Sequence, residues 1–339
     1  MTPARFTAIT RHYPRLRVAV AGDFCLDRYL EIDAARNEIS IETGLPVYNV
    51  TRVRAQPGGA GTVLNNLAAL GVAELFPIGF AGEDGEGFEL RRALATQPGV
   101  RMKYFLSTGE RRTFTYTKPL LVRPGRPPRE LNRLDFKNRT PTSPPLQRRL
   151  CDALRKIAAR VDAIIILDQV DAPETGVVTK RLLRTIAAIR RQRPHLLIMA
   201  DSRRGLKGFP PVCLKMNRAE LSRLVGARGQ IPLPNAGPAA AALARAKKSL
   251  CFVTLAEHGM LGTAPDGAIE HRPALPTRGE IDIVGAGDCV TANLTAALAA
   301  GATPGESLEI AAAAASVVIH KLGATGAAST SEIKALLWR

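Results

Sequence analysis

The sequence predicts an α/β protein built on a mostly parallel β-sheet with helices on both faces. Short apolar segments rich in β-branched residues alternate with longer segments in which apolar residues recur at helical spacing. This alternation covers most of the 339 residues. Parallel strands need long crossover connections, and helices usually supply them. Two segments, 28–56 and 104–136, interrupt the alternation because they contain strand patterns without helices between them.

The strands of the main sheet are predicted from short apolar segments bounded by glycine or polar residues. They lie at 17–22, 74–82, 163–168, 196–201, 213–217 and 250–255. The helices are predicted from apolar residues spaced by three or four positions, and Gly71 ends the first of them. They lie at 63–70, 86–96, 145–160, 175–192, 218–226, 237–248, 288–300, 304–320 and 330–338.

The two interrupting segments predict a smaller sheet. Residues 45–53, LPVYNVTRV, alternate between apolar and polar, as a strand with one exposed face does. In 104–136, RTFTYTKPLLV and RELNRLDF predict a β-hairpin around the turn RPGRPP. Ligands of parallel sheets bind at the carboxyl ends of the strands. We therefore expect 28–56 and 104–136 to form a lid over that edge, within a single domain, and to exclude water from the site.

Composition narrows the class of protein. No segment reaches the roughly 18 consecutive apolar residues of a membrane span. The N-terminus, MTPARFTAITRHYPRLR, lacks the apolar core of a secretory signal. The five cysteines lie far apart, without CxxC or zinc spacing, and predict free thiols. We expect a cytoplasmic protein without a membrane partner.

The net charge of +17 raises the question of a nucleic-acid partner. The basic clusters, such as RPGRPPRE and IRRQRPH, contain no interleaved aromatic residues, and no zinc-finger or RNP motif is present. We therefore expect no nucleic-acid partner. A basic solvated surface and attraction of phosphorylated substrates remain as explanations of the charge.

A glycine-rich turn stands where a β-branched segment becomes an Ala/Leu-rich helix, in the sequence EIDIVGAGDCVTANLTAALAAG. Gly285, Ala286 and Gly287 allow a ligand to approach the first amides of that helix, which have no internal partner. Such a turn binds anions. Asp288 follows in the first helical turn, where it would either cap the helix or accept a proton from an incoming hydroxyl. A base beside an anion site suits phosphoryl transfer to an alcohol.

Other phosphotransferase signatures are absent from the sequence. There is no GxxxxGK[ST], which excludes a P-loop enzyme. There is no HRD or DFG set, which excludes a protein kinase.

Several motifs, in order along the chain, resemble those of the ribokinase-like, PfkB-type carbohydrate kinases. They are PGGAGTVLNNLAALG at 57–71, Asn217 with Glu220 as N-x-x-E, VTLAEHGM at 253–260, DIVGAGD at 282–288 and KLGATGA at 321–327. Within that family, GDFCLDRY, EISIETGLPV, NRLDF and DSRRG resemble the heptose kinases of lipopolysaccharide-precursor synthesis. The resemblance implies a ribokinase-like fold and ATP-dependent phosphorylation of a sugar.

The resemblance also assigns roles near the nucleotide. It implies that Asp288 is the catalytic base and that 285–287 form the anion hole. Asn217 and Glu220 would organise Mg²⁺ and the phosphates, mainly through water. The remaining contacts to ATP would come from Thr254, Gly259 and Gly323. The family further implies a monovalent-cation site near Asp282 and a homodimer that pairs through the lid.

On the acceptor side, each candidate has a structural alternative. Asp23 and Asp27 would accept hydrogen bonds from sugar hydroxyls, or else cap a turn. Gly58 and Gly59 would let the backbone approach the sugar, or else form a plain helix entry. The lid cations would bind a phosphate of the acceptor, or else face solvent. These cations are Lys118, Arg123 and Arg133.

The chain departs from the heptose-kinase pattern at four places, mostly on the acceptor side. Thr62 replaces an asparagine, Val284 replaces a threonine, Glu38 replaces an arginine, and no lysine follows Asp168. C1 of heptose 7-phosphate is thus one acceptor, and another sugar such as ribose or fructose is an alternative. A catalytically silent nucleotide- or sugar-binding protein on the same fold is the competing hypothesis.

Overall fold

The computed structural model describes residues 1–323 and 325–338. The strands are β1 (Arg17–Gly22), β2 (Phe24–Ile39), β3 (Pro46–Gly59), β4 (Glu74–Gly82), β5 (Phe105–Thr108), β6 (Phe114–Arg123), β7 (Arg126–Glu130), β8 (Leu134–Phe136), β9 (Ala163–Asp168), β10 (Leu197–Ser202), β11 (Cys213–Asn217), β12 (Cys251–Thr254), β13 (Met260–Thr263) and β14 (Ile269–Arg272). The helices are α1 (Pro3–Thr10), α2 (Ala60–Ala69), α3 (Gly85–Ala95), α4 (Pro144–Ala158), α5 (Lys180–Gln192), α6 (Arg218–Leu224), α7 (Leu233–Lys247), α8 (Ala286–Ala299), α9 (Pro304–Ile319) and α10 (Thr330–Leu337).

The predicted α/β architecture with a mostly parallel sheet is confirmed. Nine strands form the main sheet in the order β14-β13-β12-β11-β10-β9-β1-β4-β5. All neighbours from β12 to β5 pair in parallel, and the edge strands β13 and β14 are antiparallel. Residues 105–108, which we expected beside the hairpin, extend the main sheet as β5.

Helices cover both faces of this sheet. Helices α2, α8 and α9 contribute to one apolar core, and α4, α5 and α7 contribute to the other. The central strand β1 is buried on both faces, with Val18, Ala19, Val20 and Ala21 all at 0% exposure. This explains why its sequence is continuously apolar rather than alternating. No helix in the described part of the chain has the length and apolar character needed to cross a bilayer.

The second sheet, here called the small sheet, has the order β3-β2-β6-β7, with β8 beside β6. Its strand β2 pairs with β3 in antiparallel and with β6 in parallel orientation. Only Asp23 separates β2 from β1, so the backbone passes from the main sheet into the small sheet within one residue. Pro127 and Pro128, expected in a turn, lie in β7. This strand is at the sheet edge, where a proline need not donate to a neighbour.

Gly22 makes the clearest stability test in the main sheet. A Cβ atom at this position would lie 2.2 Å from the backbone oxygen of Leu167 on β9. Because that backbone cannot move without breaking strand pairing, we expect Gly22→Ala to lower the free energy of unfolding by about 2–3 kcal/mol. Urea unfolding followed by circular dichroism measures this. Gly85→Ala is the control, since a Cβ there meets nothing within 4 Å, and an equal loss in both variants would contradict the steric argument.

Candidate active site

Polar side chains gather where several parallel strands end. Asp23 directly follows β1, Asp168 ends β9 and Asn217 ends β11, while Asp201 lies near the end of β10. The first turns of α2 and α8 approach the same edge, since a Cβ on Gly285 would lie 3.5 Å from Cγ2 of Thr62. Two helix N-termini therefore direct their positive ends toward this cleft.

The turn before α8 leaves amides available. Gly285 precedes the helix with φ 81°, and no side chain caps it. The backbone N–H groups of Gly287 and Asp288 have no backbone acceptor within the described ranges. The Asp288 side chain thus does not cap the helix, contrary to the structural alternative. The free amides form the kind of site that accepts a phosphate oxygen.

Electrostatic neighbours identify what Asp288 faces. The pKa of Asp288 is raised to about 7. Burial is the largest cause, Asp201 and Asp27 also raise it, and Lys215 and Arg203 lower it. The carboxylate is only half-buried by surface area. It is therefore enclosed by protein charges on several sides yet keeps an open side toward the cleft.

A lysine that sequence reasoning missed lies beneath this turn. Lys215 is 6% exposed, and its Nζ atom donates to Asp201 Oδ2 at 2.8 Å. Thr291 Oγ donates to the same carboxylate oxygen at 3.0 Å. The only signal in the sequence was a lysine inside the apolar strand CLKMN, where a charge needs a buried partner.

Asp23 and Asp27, which were predicted together, have different surroundings. Both oxygens of Asp23 accept backbone N–H groups, from Val177 at 2.7 Å and from Gln169 at 2.9 Å. Asp23 therefore holds the loop after β9, and the structural alternative describes it better than a sugar contact. Thr179 caps α5 by accepting the Leu182 amide, so this helix begins at Lys180 and not at 175 as predicted.

Asp27 faces the cleft instead. Burial raises its pKa, and Lys118 and Arg133 lower it, with no hydrogen bond to another described residue contributing. A Cβ on Gly58 would come within 2.6 Å of Asp27 Oδ2, so this glycine makes room for the carboxylate. Gly59 precedes α2 and has a φ of 57°. A Cβ atom on this residue would lie 2.6 Å from the backbone oxygen of Asp23, so the position favours glycine.

The small sheet presents cations to the same cleft. Lys118 Nζ lies 3.4 Å from the Tyr29 hydroxyl. Burial lowers the pKa of Lys118, but Tyr29 and Asp27 raise it, and the net pKa is above its ordinary value. Arg133 forms a two-point pair with Asp135 at 2.7 and 2.8 Å. Arg123 lies farther along, at the end of β6.

Two further cations here were not predicted. Lys137 Nζ contacts Asp171 at 2.7 Å and lies 5.7 Å from the centre of the Tyr116 ring. The half-exposed Arg203 lies 3.8 Å from Asp171. A cavity of about 50 Å³ lies beside Lys137, and its lining also includes Asp23, Cys25, Tyr116, Arg139 and Asp171.

Asp168 keeps a cation despite the missing lysine. Its Oδ2 accepts Ser202 Oγ at 2.8 Å and Arg204 Nη2 at 2.7 Å. Arg204 comes from the loop after β10, so a neighbouring strand end supplies the positive charge that a lysine after Asp168 would have supplied.

Asn217 and Glu220 form a reciprocal helix cap. Asn217 Oδ1 accepts the Glu220 amide at 2.8 Å, and Glu220 Oε2 accepts the Asn217 amide at 2.7 Å. Within residues 1–323 and 325–338 no group of three potential ligands could hold a metal by itself. The remaining Glu220 oxygen suits a Mg²⁺ ion that takes its other ligands from phosphates and water.

Two of the remaining nucleotide-side candidates, Thr254 and Gly259, lie toward the antiparallel edge of the main sheet. Thr254 ends β12 and pairs in register with Asn217. Gly259, at φ 84°, has the backbone oxygen of Arg272 2.1 Å from its Cβ position, so packing explains this glycine. Gly323, at φ 68°, meets nothing within 4 Å. Ala324, within the motif at 321–327, lies outside the described residues.

The loop around 321–327 also contacts the small sheet. Gln56 Nε2, on β3, donates to Thr325 Oγ1 at 2.8 Å. The Thr325 methyl group lies 2.4 Å from the Cβ position of Gly285. The sequence motif at 321–327 is thus adjacent to the anion turn as well as to the acceptor-side sheet.

Comparison with known proteins gives a consistent result. The family model described as pfkB family carbohydrate kinase matches residues 23–331. The protein named Bifunctional protein HldE of Bradyrhizobium sp. (strain ORS 278) is 31% identical over 343 residues, covering 97% of this chain and 65% of that protein. The protein of the same name from Azorhizobium caulinodans is 32% identical over 323 residues. The match covers 95% of this chain and 64% of that protein. The chain therefore spans just under two thirds of these relatives.

Solved structures share the fold. Arabidopsis thaliana ribokinase complexed with ribose and ATP superposes with a TM-score of 0.70 at 19% identity, over 96% of this chain and 99% of that one. Phosphofructokinase-2 from Escherichia coli, in complex with substrates and products, gives 0.71 at 22% identity, over 96% and 100%. The predicted ribokinase-like fold is confirmed.

Proposed function

Because the chain belongs to the pfkB family of carbohydrate kinases, we propose that it transfers the γ-phosphoryl group of ATP to a hydroxyl of a sugar or sugar phosphate. One observation carries this proposal: the free amides of Gly287 and Asp288 and the uncapped Asp288 carboxylate stand together at the start of α8. An anion site and a base are thereby adjacent, which is what phosphoryl transfer to an alcohol needs.

In the proposed step, Asp288 takes the proton of the acceptor hydroxyl as that oxygen bonds to the γ-phosphorus. The bond between that phosphorus and the bridging oxygen of ADP breaks, and ADP leaves with the bonding electrons. The amides of 287 and 288 donate to oxygens of the transferred group, where negative charge must be stabilised. Asp27 would accept a hydrogen bond from another hydroxyl and so orient the acceptor.

Mg²⁺ is proposed as the accompanying cation, held near Glu220 and Asn217 mainly through water. When bound, it would supply positive charge that offsets the negative charge of the phosphates. A monovalent-cation site near Asp282 is supported by the sequence resemblance alone. In the structure, Asp282 Oδ1 accepts the Val284 amide at 3.0 Å, as in an ordinary local turn.

We propose a phosphorylated sugar as the acceptor, with C1 of heptose 7-phosphate as the first candidate from the sequence resemblance. Two cations, Lys118 and Arg133, support this, because their charges act on Asp27 against that of one further carboxylate, Asp135. Cations beside the proposed acceptor ligand suit a second anionic group on the sugar. Lys137 and Arg203 add positive charge around Asp171. Ribose and fructose remain the uncharged alternatives.

A homodimer formed through the small sheet is proposed from its surface. Several large apolar side chains there are exposed, namely Ile39, Leu45, Tyr48, Val50 and Val53. An apolar surface of this kind commonly marks a protein interface, and the small sheet would then serve as a lid in each subunit.

The proposed activity is tested by measuring ADP release across a panel of plain and phosphorylated sugars. We expect turnover with at least one phosphorylated heptose or hexose. Nucleotide binding without turnover on any member of the panel would favour the catalytically silent alternative. Steep, salt-dependent binding of DNA or RNA would contradict the expectation of no nucleic-acid partner.

The raised pKa of Asp288 predicts the pH dependence. A general base must be unprotonated, and the pKa of this carboxyl is raised to about 7, with burial as the largest cause. We therefore expect kcat/KM for the acceptor to be constant above about pH 8 and to fall up to tenfold per pH unit below about pH 6. Steady-state rates at saturating Mg·ATP measure this. A profile that stays flat down to pH 5 would contradict the assignment.

A further inference from the structure

One outer surface of the protein carries a large share of its positive charge. Helices α4 and α5 contain nine arginine or lysine residues and one acidic residue, Asp152, so they contribute +8 to the net charge of +17. Seven of the nine cations are exposed, and we call the surface that they form the α4–α5 face. They are Arg148, Arg149, Arg155, Lys156, Lys180, Arg184 and Arg191.

The two helices form one continuous surface. They pack side by side on the same face of the main sheet, and their apolar side chains belong to the same core. Arg155 Nη2 donates to Thr185 Oγ1 at 3.3 Å, which joins the helices directly. Cations recur on the outer side of each helix at two-turn spacing, as Arg149 and Lys156 do on α4. The positive charge is therefore spread across both helices.

The protein itself neutralises little of this charge. For the nine cations, the ion pair between Arg155 and Asp152, at 2.7 Å, is the one formed within the described residues. Lys180 and Arg184 are four positions apart on α5, where like charges repel each other. The charge of this face is thus left to solvent or to a partner outside the chain.

Helix stability does not explain all of these cations. Those in the last turns interact favourably with the negative end of the helix dipole. Lys180 and Arg181 lie in the first turn of α5, where a positive charge opposes the dipole, and neither helix has an acidic residue in its first turn. Arg148, Arg149 and Arg184 lie too far from the last turn to gain from the dipole. Five of the nine cations therefore point to a role outside the fold.

The shape of the face indicates the class of partner. A helix that reads duplex DNA enters a major groove about 12 Å wide, whereas two packed helices, each about 10 Å across, form a surface nearly twice as wide as one. Neither helix contains an aromatic residue on which the bases of a single strand could stack. A bilayer of anionic lipids carries its charge over a wide, flat area, so it complements a broad cationic surface.

We propose that the α4–α5 face is a peripheral membrane-binding surface, which holds the protein electrostatically on a bilayer of anionic phospholipids. The apolar side chains of both helices stay in the core, so the contact needs no insertion into the hydrocarbon. The expectation of no membrane partner depended on the absence of a spanning segment, and a peripheral contact needs none. This proposal is independent of the proposed kinase function, because none of the nine cations is a candidate site residue.

The test is flotation of the protein with vesicles of phosphatidylcholine, either alone or mixed in equal parts with phosphatidylglycerol, at low and at high salt. The variant combines Arg149→Gln, Lys156→Gln and Arg184→Gln. These side chains are exposed and have no ion pair within the described part of the chain. The variant should unfold at the same temperature as the wild type or at a higher one, since it loses repulsion between like charges.

The matched control combines Arg11→Gln, Arg92→Gln and Lys334→Gln. These exposed cations lie on or directly after α1, α3 and α10, whose buried side chains belong to the core on the opposite face of the main sheet. Both triple variants lose the same net charge. They therefore separate the location of the charge from its total.

We expect the wild type to float with the anionic vesicles and not with the neutral ones, and its binding to fall steeply as salt rises. The α4–α5 variant should bind about 30- to 150-fold more weakly, since each cation near an anionic membrane contributes about fivefold. The control should lose less than about threefold. Equal losses in the two variants, or no preference of the wild type for anionic vesicles, would overturn the proposal. Binding of duplex DNA or RNA that only the α4–α5 variant loses, without vesicle binding, would assign the face to a nucleic acid instead.

Discussion

Replacing Asp288 by asparagine is expected to lower kcat by about 10²- to 10⁴-fold, the usual contribution of a general base. Asparagine has nearly the same shape but cannot take a proton from the acceptor. The carboxylate caps no helix end, so the fold and the affinity for nucleotide should change little. Steady-state kinetics by ADP release, together with thermal unfolding, measure the two effects separately.

The control for this substitution is Asp266→Asn. Asp266 lies in an exposed turn, where its side chain accepts the Ala268 amide at 2.9 Å, and asparagine can make the same bond. Its kcat should equal that of the wild type. A folded Asp288→Asn variant with kcat within threefold of the wild type would show that Asp288 is not the base.

Asp27→Asn is expected to lower kcat/KM for the acceptor by about 10- to 150-fold, which corresponds to the ~1.5–3 kcal/mol of a hydrogen bond to a charged group. The KM for ATP should not change, because Asp27 lies on the small sheet and faces Lys118 and Arg133. Kinetics with each substrate varied in turn measure this.

Asp23→Asn provides the contrast four residues earlier. Its two oxygens accept backbone amides of Gln169 and Val177. Asparagine has only one acceptor oxygen, so we expect the free energy of unfolding to fall by about 2 kcal/mol. If Asp27→Asn lost stability but kept kcat/KM, and Asp23→Asn did the reverse, the roles of these two residues would be exchanged.

The sequence predicted the main sheet because its parallel strands are buried on both faces and its helices have one apolar face. These apolar patterns depend on the spacing of residues close together in the chain, so they can be read from one sequence. The β13–β14 hairpin was missed because β13 contains a glycine and β14, IEHR, is a half-exposed edge strand without an apolar segment. The edge strand β7 was read as a turn because it contains two prolines, and proline is tolerated in a strand only when that strand has no neighbour on one side.

The site was predictable where one short segment carries the chemistry. The turn at 285–288 contains its glycines, its helix start and its carboxylate in four consecutive residues. Asp23 and Asp27 could not be told apart, because the loop amides that occupy Asp23 come from more than 140 positions away in the chain. Lys215, Lys137 and Arg203 were missed for the same reason, since each gains meaning only from partners on other strands and loops.

The passage of one backbone from β1 through Asp23 into β2 has a mechanical consequence. Strand β2 begins directly after Asp23 and extends 16 residues away from the main sheet. A rigid tilt about Asp23 would displace Ile39 about four times as far as Asp27, because displacement grows with distance along an extended strand. The outer end of the small sheet would then move far, while Asp27, the proposed ligand of the acceptor, would move only a short way.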